Sequence, residues 1–398
     1  MLKQFGTLFF VQGGERVTDI GTLSHNNSAY LETFPYFYIH YDSLIVVMTH
    51  LLNKHSQYNQ SPLEIATFDG YNSPYHPSVL YFEATWNGYS FWMANSPYPH
   101  KTTPYRDRFE CPSVFVSNDG YHWDSVNGMS NPIDDLTAEE IKDYDYLSDP
   151  HLFVKDGALE CWYRKTKRHG KHNYSNSNTH YLLRKTTKDG INWTEKEILM
   201  DISKSFGREL VSPAILYQGI YKMWVVDLKP GDGQYAIGHL TSGDGSNWSD
   251  MQLCQLEGKT IQPWHIDVQF FDGFYWLTCY EKFKDLTLWK SANGTSFEYV
   301  CQLLSPSHTT ASFYGKMLYR ASLAKVSDND YRLYFSAEDD FSSHIGVMQG
   351  ESPTSMHVVS VDDKDYRSIH NLKDLFVLYV RGISASILFK IKVRLSQL

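Results

Sequence analysis

The stretch Ser117-Asn118-Asp119-Gly120-Tyr121-His122-Trp123 recurs in close variants, and a turn repeated this faithfully leaves few folds open to the chain. Thr187-Lys188-Asp189-Gly190-Ile191-Asn192-Trp193 and Ser242-Gly243-Asp244-Gly245-Ser246-Asn247-Trp248 are further copies, and Ser291-Ala292-Asn293-Gly294-Thr295-Ser296-Phe297 is a weaker one. Each reads as a hairpin turn. Asp-Gly or Asn-Gly supplies the positive φ, the Ser, Thr and Asp side chains bond nearby amides, and the aromatic residue after the Gly folds back as an anchor. Copies at spacings of roughly fifty to seventy residues are the mark of a radially repeated β architecture, in which each sheet buries one face against the next.

A strand phrase runs in step with the turns. A polar residue before Pro opens an apolar strand, a Gly turn comes next, and an aromatic strand returns: His76-Pro77-Ser78-Val79-Leu80-Tyr81-Phe82, Asn87-Gly88, Tyr89-Ser90-Phe91-Trp92-Met93. The phrase recurs from Asp149-Pro150 with Asp156-Gly157, from Ser212-Pro213 with Gln218-Gly219, from Asp267 with Asp272-Gly273, and from Arg320 with Asp328-Asn329-Asp330. The pattern predicts an all-β, five-bladed β-propeller. Pro at the opening of the early copies predicts first strands beside the central channel, where a missing amide donor is tolerated at a strand start.

The organisation expected is residues 1–70 as N-terminal strands that could close the ring, 71–360 as the propeller, and 361–398 as an amphipathic C-terminal extension. Phe34 to His50 alternates aromatic and aliphatic residues and reads as strand. Thr137-Ala138-Glu139-Glu140 has the capping-box spacing and predicts one short helix. Lys165 to His172 is a basic loop, read either as a solvated hairpin tip or as a contact to an anionic glycan. In Leu372 to Leu398, Arg381, Lys390, Lys392 and Arg394 interrupt every window of about 18 to 20 residues that a membrane span needs. That segment reads as packed on the propeller or as a peripheral or partner contact.

A formal net charge of -9 argues against nucleic acid or an anionic membrane as the main partner. Five cysteines without metal-ligand spacing are expected to stay reduced. The apolar run from Met1 to Phe10 is short for a signal peptide, which points to the cytoplasm or a virion. An aromatic content of 15% suits strands and sugar-stacking surfaces alike.

With its turns, its phrases and runs such as Tyr105 to Trp123 and Leu318 to Phe335, the chain resembles the five-bladed propellers of the glycoside hydrolase family 43/32 superfamily. It is also similar to glycan-binding propellers of phage receptor-binding proteins. The likeness covers roughly residues 75 to 358 and implies a carbohydrate partner, either as the substrate of a glycoside hydrolase or as the ligand of a non-catalytic binder. A scaffold without ligand is a third reading. No cofactor is implied.

For the hydrolases the resemblance implies three carboxylates facing the channel: a base or nucleophile, an orienting Asp and a general acid. Asp149 matches the orienting position. The first phrase carries His76 where an Asp is expected, and the third carries Ser212, with Glu209 just upstream. Asp149, Glu209, Asp267 and Glu110 are therefore the catalytic candidates, and His76, His265, Trp264, Arg320 and Trp86 the substrate-binding ones. His265-Ile266-Asp267 sets two polar side chains on one face of a strand, able to bind hydroxyls, orient a carboxylate or hold a cation; the spacing alone does not define a metal site.

Overall fold

The computed structural model describes residues 60–70, 72–98, 110–168, 178–228, 234–282, 284–309, 312–339 and 342–361, together with the short pair Val11–Gln12 and Glu15–Arg16. The chain divides into two compact units, Met1–Thr49 and His50–Leu398. The expected strands from Phe34 to His50, the tail from Leu372 and the loop residues His169 to His172 lie outside the described residues.

Within the second unit five antiparallel sheets succeed one another along the chain. Blade 1 is Pro74–Trp86, Tyr89–Pro97, Ser113–Ser117 and Asp124–Ser125; blade 2 is Tyr146–Lys155, Ala158–Lys167, Thr179–Thr187 and Glu197–Asp201. Blade 3 is Leu210–Tyr217, Tyr221–Asp227, Ala236–Ser242 and Gln252–Leu253. Blade 4 is Pro263–Phe271, Phe274–Glu281, Leu286–Ser291 and Ser296–Leu304, with Gln255–Glu257 added in parallel at its outer edge. Blade 5 is Met317–Ser327, Asp330–Glu338, Ser343–Gly350 and His357–Val359. The fold is the five-bladed β-propeller that the phrases predict. The helix Ala138–Lys142 carries the expected box, with Thr137 and Glu140 each satisfying the other's backbone amide.

The four repeated turns share one set of bonds. In the first, Ser117 Oγ accepts the Gly120 amide at 2.8 Å while Asp119 Oδ1 accepts those of Tyr121 and His122 at 2.8 and 2.9 Å. Thr187 and Asp189, Ser242 and Asp244, and Ser291 and Asn293 repeat the arrangement. Each turn begins at the last residue of its blade's third strand, and its Gly faces an aromatic ring of the preceding blade. A Cβ on Gly190 would come within 2.2 Å of Trp92, and one on Gly294 within 3.1 Å of Trp224. The turn therefore locks one blade to the next, which is a reason for Gly there beyond its φ of +75° at Gly190.

Around the channel, hydroxyls and one imidazole tie neighbouring blades. Ser78 Oγ accepts Leu152 N–H at 2.9 Å, Ser212 Oγ accepts Ile266 N–H at 2.9 Å, and Ser322 Oγ accepts Val79 N–H at 3.0 Å. Thr278 donates to the Ala321 carbonyl and His151 Nε2 to that of Ile215, both at 3.0 Å. These bonds join all five blades in a ring, blade 5 to blade 1 included. At the periphery Leu63 N–H donates to the Ile345 carbonyl and Gln60 Nε2 to that of Val358, so residues 60–63 run beside blade 5.

Every inner strand also breaks register near its start, at Tyr75/Ser78, Ser148/His151, Val211/Ala214, Pro263/His265 and Leu318/Ala321. Here the prolines depart from expectation. Pro77, Pro150 and Pro213 lie within their strands, at these bulges, where no ladder donor is needed. The residue before each, His76, Asp149 or Ser212, has a positive φ of 53° or 54°. In a non-glycine residue such a backbone costs about 1–3 kcal/mol and is characteristic of functional sites. The bulge turns that side chain out of the regular pleat.

Candidate functional site

Three of the bulge-region side chains meet at the mouth. His265 Nδ1 lies 3.4 Å and His76 Nε2 3.9 Å from Asp149 Oδ1, and all three groups are buried. Donor atoms of the three lie within 4.8 Å of one another. Asp149 Oδ1 and His265 Nδ1 make no hydrogen bond, whereas Asp149 Oδ2 accepts Arg164 Nη1 at 2.9 Å and the Ser212 amide at 3.2 Å. His76 Nδ1 is tied to Ser96 Oγ at 2.9 Å, which leaves Nε2 toward Asp149.

Electrostatics sort the protons. Burial holds the His76 pKa down at about 4 and that of His265 well below the ordinary value, so both imidazoles are neutral at pH 7. Burial alone would raise Asp149, but the surrounding cationic groups, His265 when protonated and then Arg164, outweigh it and keep the carboxylate ionised. With the histidines neutral, Arg164 and, more weakly, Arg320 are the standing counter-charges. Arg164 Nη2 also bonds Glu209, whose Oε1 lies 3.7 Å from His180 Nδ1. Glu110, at a positive φ of 63°, is buried; desolvation and the charge of Asp149 push its pKa well above the carboxylate range.

Aromatic rings wall the side formed by blades 4, 5 and 1. Tyr319 stands 4.1 Å from His265, 5.3 Å from His76 and, stacked, 4.8 Å from Tyr75, and Tyr98 lies tilted against Tyr75 at 5.0 Å, all between centroids. Trp264 donates its indole N–H to Tyr319 Oη at 2.8 Å. The opposite side, from blades 2 and 3, carries Arg164, Glu209 and His180.

Of the residues expected from sequence, Asp149, His76 and His265 form the cluster, Glu209 joins it through Arg164, Glu110 is coupled to it by charge, and Trp264 adjoins it at the mouth. Three others lie elsewhere. Asp267 faces His151, with 3.5 Å between Asp267 Oδ1 and His151 Nδ1, one strand pair deeper than His265. Arg320 is fully buried and crosses the channel beneath the cluster, donating to the Pro150 and Pro213 carbonyls at 3.1 and 3.0 Å, each directly after a bulge residue. Trp86 ends the strand Pro74–Trp86, far along it from His76, and bonds the Gly157 carbonyl near the far end of blade 2. Arg164 and Tyr319 were not among the expected residues. Equal steps outward from the Asp156-Gly157 turn bring Arg164 opposite Asp149, a signal the sequence does hold; the bulge shifts the observed partner to Ser148.

The chain is thus a five-bladed β-propeller with a polar cluster at one mouth of its channel, and the proteins it is similar to are carbohydrate-active enzymes. In sequence it is 24% identical over 345 residues to the A type blood N-acetyl-alpha-D-galactosamine deacetylase of Flavonifractor plautii, a match covering 73% of this chain and 43% of that protein. The chain accordingly spans less than half the length of that relative. An N-acetylgalactosamine deacetylase from F. plautii in complex with blood group B trisaccharide superposes with a TM-score of 0.61 at 19% identity, over 74% of this chain and 95% of that one. The GH43_1 enzyme from Xanthomonas citri complexed with xylotriose gives 0.53 at 10% identity, over 80% and 98%. A xylan β-1,4-xylosidase from Bacillus halodurans gives 0.54 at 14% identity, over 76% and 56%. No protein-family model matches the chain.

Proposed function

We propose that this chain is a cation-dependent hydrolase that removes the acetyl group from an N-acetylated amino sugar of a glycan. The observation that carries this reading is the cluster itself: Asp149 Oδ1 and His265 Nδ1, buried and without hydrogen bonds, facing each other beside His76 Nε2. Two neutral imidazoles and an ionised carboxylate are a donor set for a first-row divalent cation, and three protein ligands leave positions open for chemistry. Such a cation, when bound, supplies the charge that polarises an acyl carbonyl and acidifies water.

The protein's own groups do the rest. Arg164 and the Ser212 amide hold Asp149 Oδ2, so that Oδ1 stays aimed at the histidines. Glu110 takes a proton from the attacking water and returns it to the departing amine nitrogen, work that suits a carboxyl with a raised pKa. The products are acetate and the free amine. Tyr319, Tyr75 and Tyr98 exclude water from one side, and the half-buried Tyr319 and the more exposed Tyr98 offer faces to the apolar side of a sugar ring.

Hydrolysis of a glycosidic bond, with Glu110 as acid and Asp149 as base, is the second reading, favoured by the raised pKa of Glu110. It leaves the two histidines facing Asp149 without a task, and it engages Glu209 only as the second anion on Arg164. The name of the curated relative supports the acyl reading. The experiment is product analysis on N-acetylated oligosaccharides: acetate release that a chelator stops supports the proposal, and new reducing ends with the acetyl groups intact would replace it with the second reading.

A further inference from the structure

Outward from Tyr319, three side chains form a platform that the proposed chemistry does not use. Trp264 and Tyr235 lie with ring centroids 5.5 Å apart at an angle of 39°. The Lys282 ammonium stands 4.5 Å from the Trp264 centroid and 4.8 Å from that of Tyr235, and it donates to Tyr235 Oη at 2.8 Å. All three residues are half-buried. A chain of contacts connects them to the cluster: Trp264 bonds Tyr319, and Tyr319 lies against His265. Directly, the Trp264 and His265 centroids are 6.0 Å apart.

Sugars are bound by rings that meet their C–H faces and by polar groups that meet their hydroxyls. The reacting unit must lie at the cluster, where Tyr319 is the wall. Trp264 and Tyr235 are one ring further out, and the ammonium above them is a hydroxyl donor held in place by two π faces. We propose that Trp264, Tyr235 and Lys282 form a subsite for the sugar unit adjoining the reacting one, which makes the substrate an oligosaccharide and not a free amino sugar. This rests on the deacetylase reading for the identity of the reacting unit.

The test uses Glu110→Gln, so that binding is read without turnover. Calorimetric titration with N-acetylgalactosamine and with a trisaccharide ending in it should show the trisaccharide bound at least about tenfold more tightly. Adding Tyr235→Ala, or Lys282→Met where the first variant is poorly folded, should collapse that ratio toward one. Equal affinities for the two sugars, or a ratio that survives both substitutions, overturns the subsite. Acetate release by the unmodified chain is measured separately. Its absence, with the affinity ratio intact, would remove the deacetylase reading and leave the subsite standing.

Discussion

Asp149 Oδ1 and His265 Nδ1 lie 3.4 Å apart, both buried and neither hydrogen-bonded. A buried polar atom left without a partner costs about 1–3 kcal/mol, and here two are turned toward each other. The backbone under Asp149 is held at a φ of 53°, a further cost borne on the same residue. Strain and unsatisfied polarity at one point are accounted for together if a cation completes the group. The same requirement explains why the other carboxylate oxygen is so well bonded, since Arg164 and the Ser212 amide fix the direction of the open one.

Arg164→Met should separate this positioning role from general stability. Removing one partner of a buried ion pair costs about 3–5 kcal/mol because the other charge is stranded. Urea midpoints without added cation should fall accordingly. With saturating divalent cation, which compensates Asp149, the deficit should shrink. A deficit of the same size in both conditions would show that Arg164 does not act on Asp149.

Glu110→Gln should lower acetate release by a factor of about a hundred to ten thousand while leaving cation binding in place. Its stability should move the other way. Burial, reinforced by Asp149, raises the folded-state pKa of Glu110. The stability this group contributes is therefore present below its unfolded pKa and is lost as pH rises through the folded value. A glutamine stays neutral, so the variant should be at least as resistant to urea as the parent at pH 8. A loss of stability there would argue against a strained, functional carboxyl.

The repeated turns carry the opposite pH dependence. Burial opposes ionisation of Asp119, but hydrogen bonds from His122, Tyr121 and Ser117 outweigh it and bring its pKa down to about 2. Amides of the second and third residues that follow, together with an Asn side chain, also depress Asp189 and Asp244. Such groups contribute stability above their unfolded pKa of about 4, and it is lost as pH falls through the folded value. Asn293 makes the same amide bonds with a neutral oxygen. Replacing Asp119, Asp189 and Asp244 together by Asn should therefore keep the fold at pH 7 and flatten the loss of stability between about pH 4 and pH 2. An unchanged acid slope would assign it to other carboxylates.

Much of the fold was legible because its signals are local. A Ser or Thr, an Asp or Asn and a Gly at fixed spacing encode one turn, and the phrases beginning His76-Pro77, Asp149-Pro150 and Ser212-Pro213 mark inner strands. The candidate site was legible to the extent that those phrases aim His76 and Asp149 at the channel and that the alternation of His265-Ile266-Asp267 sets His265 on one strand face. Depth was not. The period-two rule sets Asp267 on the same face as His265, but only the assembled ring shows that Arg320 and His151 fill that level. The left-handed bulge before each proline was hidden too, since the residue types there favour extended backbone and tertiary packing overrides them. Trp86 read as a platform by residue type alone, and its bond to Gly157 shows it joining blades 1 and 2.

The most direct test is titration of the metal-stripped chain with zinc or manganese, read by calorimetry, for the parent and for Asp149→Asn, His76→Ala and His265→Ala. The expected result is one cation per chain, lost in Asp149→Asn and weakened at least about tenfold in each histidine variant, with acetate release returning in the parent as the site fills. No binding by the parent, or binding that Asp149→Asn leaves unchanged, would contradict the account.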